Sequence, residues 1–311
     1  QGANPNAQGG QYGNVLSAAV AIGNKAIVND LLEKGADSNS QDGQYGHVLL
    51  AVVSKGNEAI VRLLLEKEAN PNAKGGHYGY ALFNAIITGN EAIVNVLLEK
   101  GADPNTQYGY YGNGLVAAIA IGNAAVVHAL LNKGANPNAQ DANLNSQGGY
   151  AIFSAIIVGN EVIVNVLLQK GADPNAQGGP YGNDGLYGNG LQAAALRGKV
   201  TIVNVLLDKN ADVNAQGGLY NTALQASLLQ PGKETIVNLL LDKNANVHAQ
   251  GGRYGNALRA AAVKGNDTVV KILLNNVNAQ GGLCCRILQT AAVMGNKVIV
   301  SLLLDKNADR N

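Results

Sequence analysis

GNEAIVRLLLEK (56–67), GNEAIVNVLLEK (89–100) and GNEVIVNVLLQK (159–170) are near copies of one another. After the opening Gly-Asn, apolar residues fall at i, i+1, i+4 and i+5, as at Ile93, Val94, Leu97 and Leu98. On a helix that spacing makes one broad apolar face. Asn is a good N-cap for such a helix. Gly just before it suits the left-handed residue that ends a preceding helix. A helix this short cannot bury its face alone, so the copies must stack on one another.

The same punctuation runs along the whole chain. Gly recurs at 23, 56, 89, 122, 159, 198, 232, 265 and 295, with spacings of 33, 33, 33, 37, 39, 34, 33 and 30 residues. A period near 33 marks a repeat architecture. Each unit begins with a short helix of small residues, such as LSAAVAI (16–22) or LQAAALR (191–197). Gly follows, then Asn in seven units and Lys199 or Lys233 in two. The second helix ends on KGAD or KNAD, and a Gly- and Asn-rich segment such as PNAQGGQYG (5–13) leads onward. The expected fold is all-α: a solenoid of about nine helix–turn–helix repeats joined by short β-hairpin loops, forming one array over residues 1–311. Four residues are added around 134–150 and six around 179–190, within hairpin segments where repeats tolerate insertion. The eighth unit loses three residues at ILLNNVNAQ (272–280), and Pro231 interrupts the turn of the seventh.

This pattern resembles the ankyrin repeat, and the resemblance covers essentially the whole chain. GADPN at 101–105 and 171–175 and NADVN at 210–214 are similar to the family's closing GADVN. The family's opening G-x-TPLH-x-AA aligns onto YGNVLSAA (12–19) and YGNALRAA (254–261), where only Leu of the four-residue core is kept. Phe83 and Phe153 stand at the position of the family's His. The departure touches the Thr–His hydrogen bonds of the first helix and leaves the stacking intact. The GNALxAA and GGxYG segments are similar to the arrays of filamentous-fungal multidomain ankyrin proteins. The resemblance implies a module that binds proteins, and an opening QGANPNAQ that is the tail of an earlier repeat in a longer chain.

Composition agrees with a binding role. Charged residues make up 14% of the chain, Trp is absent and Phe occurs twice, which does not suit a large aromatic-lined catalytic cavity. Net charge is +1, too small for an electrostatic footprint on nucleic acid or a membrane surface. The halves tilt slightly, to −3 over residues 1–155 and +4 over 156–311. The adjacent Cys284 and Cys285 offer no disulfide framework, which points to a reducing, cytoplasmic setting.

No constellation for chemistry emerges. His47, His77, His128 and His248 occupy four different repeat positions, whereas metal or acid–base sites need converging groups. Glu33, Glu66, Glu99, Asp208, Asp242 and Asp305 recur at the end of the second helix, next to Lys that complements the helix dipole. The Gly pairs belong to no phosphate-binding motif. Neither catalysis, metal nor cofactor is expected.

Recognition is the better expectation. Variation within a fixed frame marks a binding surface, and the frame varies at the last two residues of the first helix. The expected partner-binding set is Ile87, Thr88, Ala120, Ile121, Ile157, Val158, Leu196 and Arg197. These residues are more apolar than an idle solvent face should be. Tyr recurs four residues before the retained Leu, and Tyr45, Tyr78, Tyr111 and Tyr187 form a secondary candidate row. Two readings of that row stand: rings packed on neighbouring hairpins, favoured by near-invariance, or amphipathic contacts to a partner. The expected partner is a protein or peptide, and a small apolar ligand is also open. The alternative is a regulatory or ligand-sensing array of a larger enzyme or receptor whose catalytic domain lies elsewhere.

Overall fold

The computed structural model describes residues 3–41, 46–75, 79–109, 112–140, 150–177, 187–229, 232, 234–276 and 281–308. They form two compact units, residues 1–143 and 144–311. In the first, helices come in pairs: α1 (Val15–Ile22) with α2 (Lys25–Glu33), α3 (Val48–Ser54) with α4 (Glu58–Glu66), α5 (Ala81–Ile87) with α6 (Glu91–Glu99), and α7 (Gly114–Ile121) with α8 (Ala124–Asn132). The second holds α9 (Ala151–Val158) with α10 (Glu161–Gln169), α11 (Gly190–Arg197) with α12 (Val200–Asp208), α13 (Ala223–Ser227) with α14 (Glu234–Asp242), α15 (Ala257–Val263) with α16 (Asp267–Asn276), and α17 (Gly281–Val293) with α18 (Lys297–Ala308). Within each unit, first helices stack on first helices and second on second, the layering of a helical solenoid. Among the described residues one hairpin is a true ladder, with β1 (Lys74–Gly75) antiparallel to β2 (Gly79–Tyr80). Elsewhere single bridges close the hairpins, as at Gln8–Asn14, Gln107–Asn113 and Gln177–Asn189.

Local chemistry explains the pairs. Gly23 and Gly122 end their helices at φ +79° and +81°, a region where a Cβ is strained, and the Gly23 N–H donates to the carbonyls of Ala19 and Val20. The following Asn caps the second helix: Asn24, Asn57, Asn90 and Asn123 each accept from the backbone N–H three residues on, at 3.1–3.2 Å. Lys199 has no such bond, and α12 begins without a side-chain cap. Val94, Leu97 and Ile60 are fully buried between stacked pairs.

A second device ties neighbouring repeats together within each unit. The closing Asn of one loop donates from Nδ2 to a carbonyl in the next loop and accepts from a backbone N–H there. Asn72 donates to the Gly101 carbonyl at 3.0 Å and accepts from the Asp103 N–H at 2.7 Å. Asn6, Asn39, Asn105, Asn175 and Asn214 repeat the pattern. These groups would otherwise take water, so each amide converts two solvent bonds into an inter-repeat clamp.

The missing Thr–His pair is replaced in two ways. Asn14, where the family has Thr, accepts from the Ser17 N–H at 2.7 Å and donates to the Gln41 carbonyl of the next repeat at 2.8 Å. Gln192, where the family has His, accepts from the Gly188 N–H at 2.7 Å and donates to the carbonyls of Ala215 and Asn221 at 3.1 and 2.8 Å. Phe83 and Phe153 fill the same position with buried rings. They pack edge-on against Tyr108 and Tyr187 at 5.9 and 6.0 Å. One structural position thus carries a polar tie in one repeat and an aromatic plug in another.

The last repeat departs from the pattern. The repeat frame places Cys284 and Cys285 in a hairpin, but α17 begins at Gly281 and runs through them for 13 residues. Four residues separate α16 from α17 in the shortened eighth unit. The seventh unit has the shortest first helix, five residues in α13.

Candidate functional site

The end of the first helix positions the candidate site. Its Gly stop turns the chain sharply, so the residue before that Gly cannot be covered by the second helix. Ile22, Ile121, Val158 and Met294 are 74%, 45%, 50% and 55% exposed, although the helices before them bury Leu16, Ile119 and Ile156 almost completely. Large apolar side chains left in water at one recurring position are the kind of exposure that needs an explanation.

The expected binding residues divide between the two units. In the first, Ala120 and Ile121 are exposed, Ile87 is half-buried and Thr88 is exposed. The Thr88 hydroxyl already donates to the Asn84 carbonyl at 3.0 Å, which ends α5. In the second, Val158 and Arg197 are exposed while Ile157 and Leu196 are half-buried. Tyr187 is buried with its ring on Phe153, a scaffold contact. Tyr45, Tyr78 and Tyr111 lie outside the described residues.

The second unit brings some of these residues into a groove that the repeat pattern does not announce. Leu196 and Arg197 at the end of α11 share it with Tyr220 and Tyr254 of the two following hairpins, and with Leu229. Lys199, Arg253 and Lys264 complete its cationic wall, and the cavity measures about 630 Å³. Arg253 and Lys264 each stand 5.9 Å from the centre of the Tyr254 ring. A cation over an aromatic face is held by the ring quadrupole. The sequence offered one overlooked signal for this groove: 187–199, 213–233 and 243–266 contain Arg and Lys but no Asp or Glu.

Other features hold no comparable site. Among the described residues no three His, Cys, Asp or Glu side chains come together as metal ligands. Two ion pairs occur there, Arg62–Glu58 along one helix and Lys243–Asp208 between neighbouring repeats. The second joins a carboxylate at the end of one second helix to the Lys after the next, and at an exposed position it contributes little. Among the described residues no helix is long and apolar enough to cross a membrane.

Comparison with known proteins gives a consistent family signal. A model of ankyrin repeats in three copies matches residues 16–108 and 224–311, and a single ankyrin-repeat model matches 115–142 and 148–179. No curated protein matches the chain. Among solved structures, the chain is similar to the human ASB11 ankyrin repeat domain at 25% identity and a TM-score of 0.54, covering 74% of this chain and 98% of that one. It is also similar in fold to the ankyrin repeat domain of Bcl-3, described as a unique member of the IkappaB protein family. There the identity is 23% and the TM-score 0.60, with 76% of this chain and 100% of the other covered.

Proposed function

We infer the function from one premise: the chain belongs to the ankyrin-repeat family, whose domains are generally protein–protein interaction modules. This chain is a recognition module that holds a protein or peptide on the face that hairpins and first helices form within each unit, and it performs no catalysis itself. One observation carries the reading. The residue before the Gly stop is a large, exposed apolar side chain in four repeats, at Ile22, Ile121, Val158 and Met294, while the frame around it is closed and buried. Water-exposed Ile and Val at a fixed position lower stability of the free chain by nothing and gain by being covered, which is the character of an interface core. The contact residues are Ile87, Thr88, Ala120 and Ile121 in the first unit and Ile157, Val158, Leu196 and Arg197 in the second, with the hairpin tyrosines at their edge. The setting is cytoplasmic, and the array is of the filamentous-fungal multidomain kind.

The test is a two-hybrid screen of the chain against a library from its source, followed by Ile121→Asp and Val158→Asp baits. Both positions are about half exposed, so the variants keep their melting curves. Loss of the selected interactions, by at least tenfold in affinity or ~1.4 kcal/mol, supports the reading. Unchanged affinity in both variants refutes it.

A further inference from the structure

We propose that the groove beside Arg197 binds an extended acidic segment of a protein partner, a step that rests on the recognition face inferred above. Two repeats on either side of the α13 repeat supply its charge: Arg197 and Lys199 flank the stop of α11, Arg253 lies in the hairpin before α15, and Lys264 follows that helix. None of the four is in an ion pair among the described residues, where the recorded pairs are Arg62–Glu58 and Lys243–Asp208. The sequence explains why. The hairpins and first helices here carry no acidic residue over 187–199, 213–233 and 243–266, while Asp208, Glu234, Asp242 and Asp267 all belong to second helices. The slight positive tilt of the second half of the sequence is therefore gathered on one wall. A cleft lined by one sign of charge focuses the field and draws the opposite charge into it. Tyr254 holds Arg253 and Lys264 at 5.9 Å without neutralising either, so both remain available to a carboxylate.

The lining favours a peptide over a nucleic acid. Leu196 and Leu229 lie among the cations, giving apolar seats between charged ones. An extended peptide alternates its side chains between two sides and can match such a surface. Single-stranded nucleic acid binds through a row of open aromatic faces, and here Tyr187 spends its ring on Phe153 and Tyr254 carries Arg253 and Lys264, which leaves Tyr220 alone. Neighbouring helices pack roughly 10 Å apart, so three repeats span roughly 20 Å. At about 3.3 Å per residue the groove seats about six residues of extended chain.

The experiment is selection of a random-peptide phage library on the full chain, repeated on the triple variant Arg197→Glu, Arg253→Glu, Lys264→Glu. All three side chains are exposed, and an unchanged circular-dichroism melt certifies the variant's fold. The proposal expects selected peptides rich in Asp and Glu, and loss of that enrichment on the variant. A synthetic selected peptide should lose affinity at least tenfold on the variant, and should weaken as salt rises. Selection of neutral peptides whose binding is insensitive to the triple variant overturns the acidic assignment but leaves the recognition face standing. Selection of no peptide at all counts against both. A fluorescein-labelled oligothymidine that binds more tightly than the selected peptide, and loses binding on the variant, overturns the proposal in favour of nucleic acid.

Discussion

Gln192→Leu isolates the polar tie between the sixth and seventh repeats. The side chain is 3% exposed and spends both ends of its amide: Oε1 accepts from Gly188, and Nε2 donates to the carbonyls of Ala215 and Asn221. Leu has similar bulk, so the substitution leaves little cavity and acts through hydrogen bonding. Asn221 keeps a partner, since its carbonyl also accepts from the Gly217 N–H at 2.8 Å. The groups left stranded are the buried Gly188 N–H and the half-buried Ala215 carbonyl. At about 1–3 kcal/mol for each unsatisfied group, with the carbonyl at the low end because water reaches it, the loss comes to about 2–4 kcal/mol. Urea unfolding followed by circular dichroism measures the total, and hydrogen exchange locates it: the Gly188 amide should lose its protection. Gln192→Glu sharpens the test. Its carboxylate keeps the Gly188 bond but faces two carbonyl oxygens, which raises its folded-state pKa above the ordinary carboxylate range. Such a group binds more protons folded than unfolded, so this variant is closest to wild type in acid and loses stability as pH rises through its folded pKa. A Gln192→Leu protein within about 0.5 kcal/mol of wild type, which is the usual range of an inert surface change, would refute the assignment of Gln192 as an inter-repeat tie.

Other substitutions probe the remaining parts of the frame. Leu97→Ala removes a fully buried side chain and should destabilise by about 2–5 kcal/mol in the same urea assay. Gly122→Ala meets no atom within 4 Å at its new Cβ, so its loss of about 1–2 kcal/mol is backbone strain alone. Asn72→Ala deletes two exposed inter-repeat bonds and should cost about 1–2 kcal/mol, with faster amide exchange at Asp103; unchanged exchange there would dismiss the ladder.

The repeat frame was legible in the sequence because it rests on local rules. Gly at a left-handed stop, Asn at an N-cap and a helix with one apolar face each leave a signature within a dozen residues, and all appear where the spacing put them. The sequence pointed to exposure at Ile121 and Ile157; Ile121 is exposed, whereas Ile157 is half-buried and its neighbour Val158, directly beside the Gly stop, is the exposed one. The binding surface was only partly legible, because it depends on contacts made across repeats. Nothing within a single unit shows that Arg197, Arg253 and Lys264, more than fifty residues apart in chain order at the extremes, line one groove. The role of Gln192 was hidden for the same reason, its acceptors lying 23 and 29 residues onward. The path of α17 through Cys284 and Cys285 went the other way: the repeat pattern promised a hairpin, and a helix stands there.

The central claim is that partners are held on the hairpins and first helices. Hydrogen–deuterium exchange of the chain with and without a partner from the two-hybrid screen tests it most directly. The account predicts slowed exchange at the ends of the first helices, around Ile121, Val158 and Arg197, and in the hairpins that face them. Protection confined to the second helices, around Asn95, His128 and Asn132, with the first-helix ends unchanged, would contradict it.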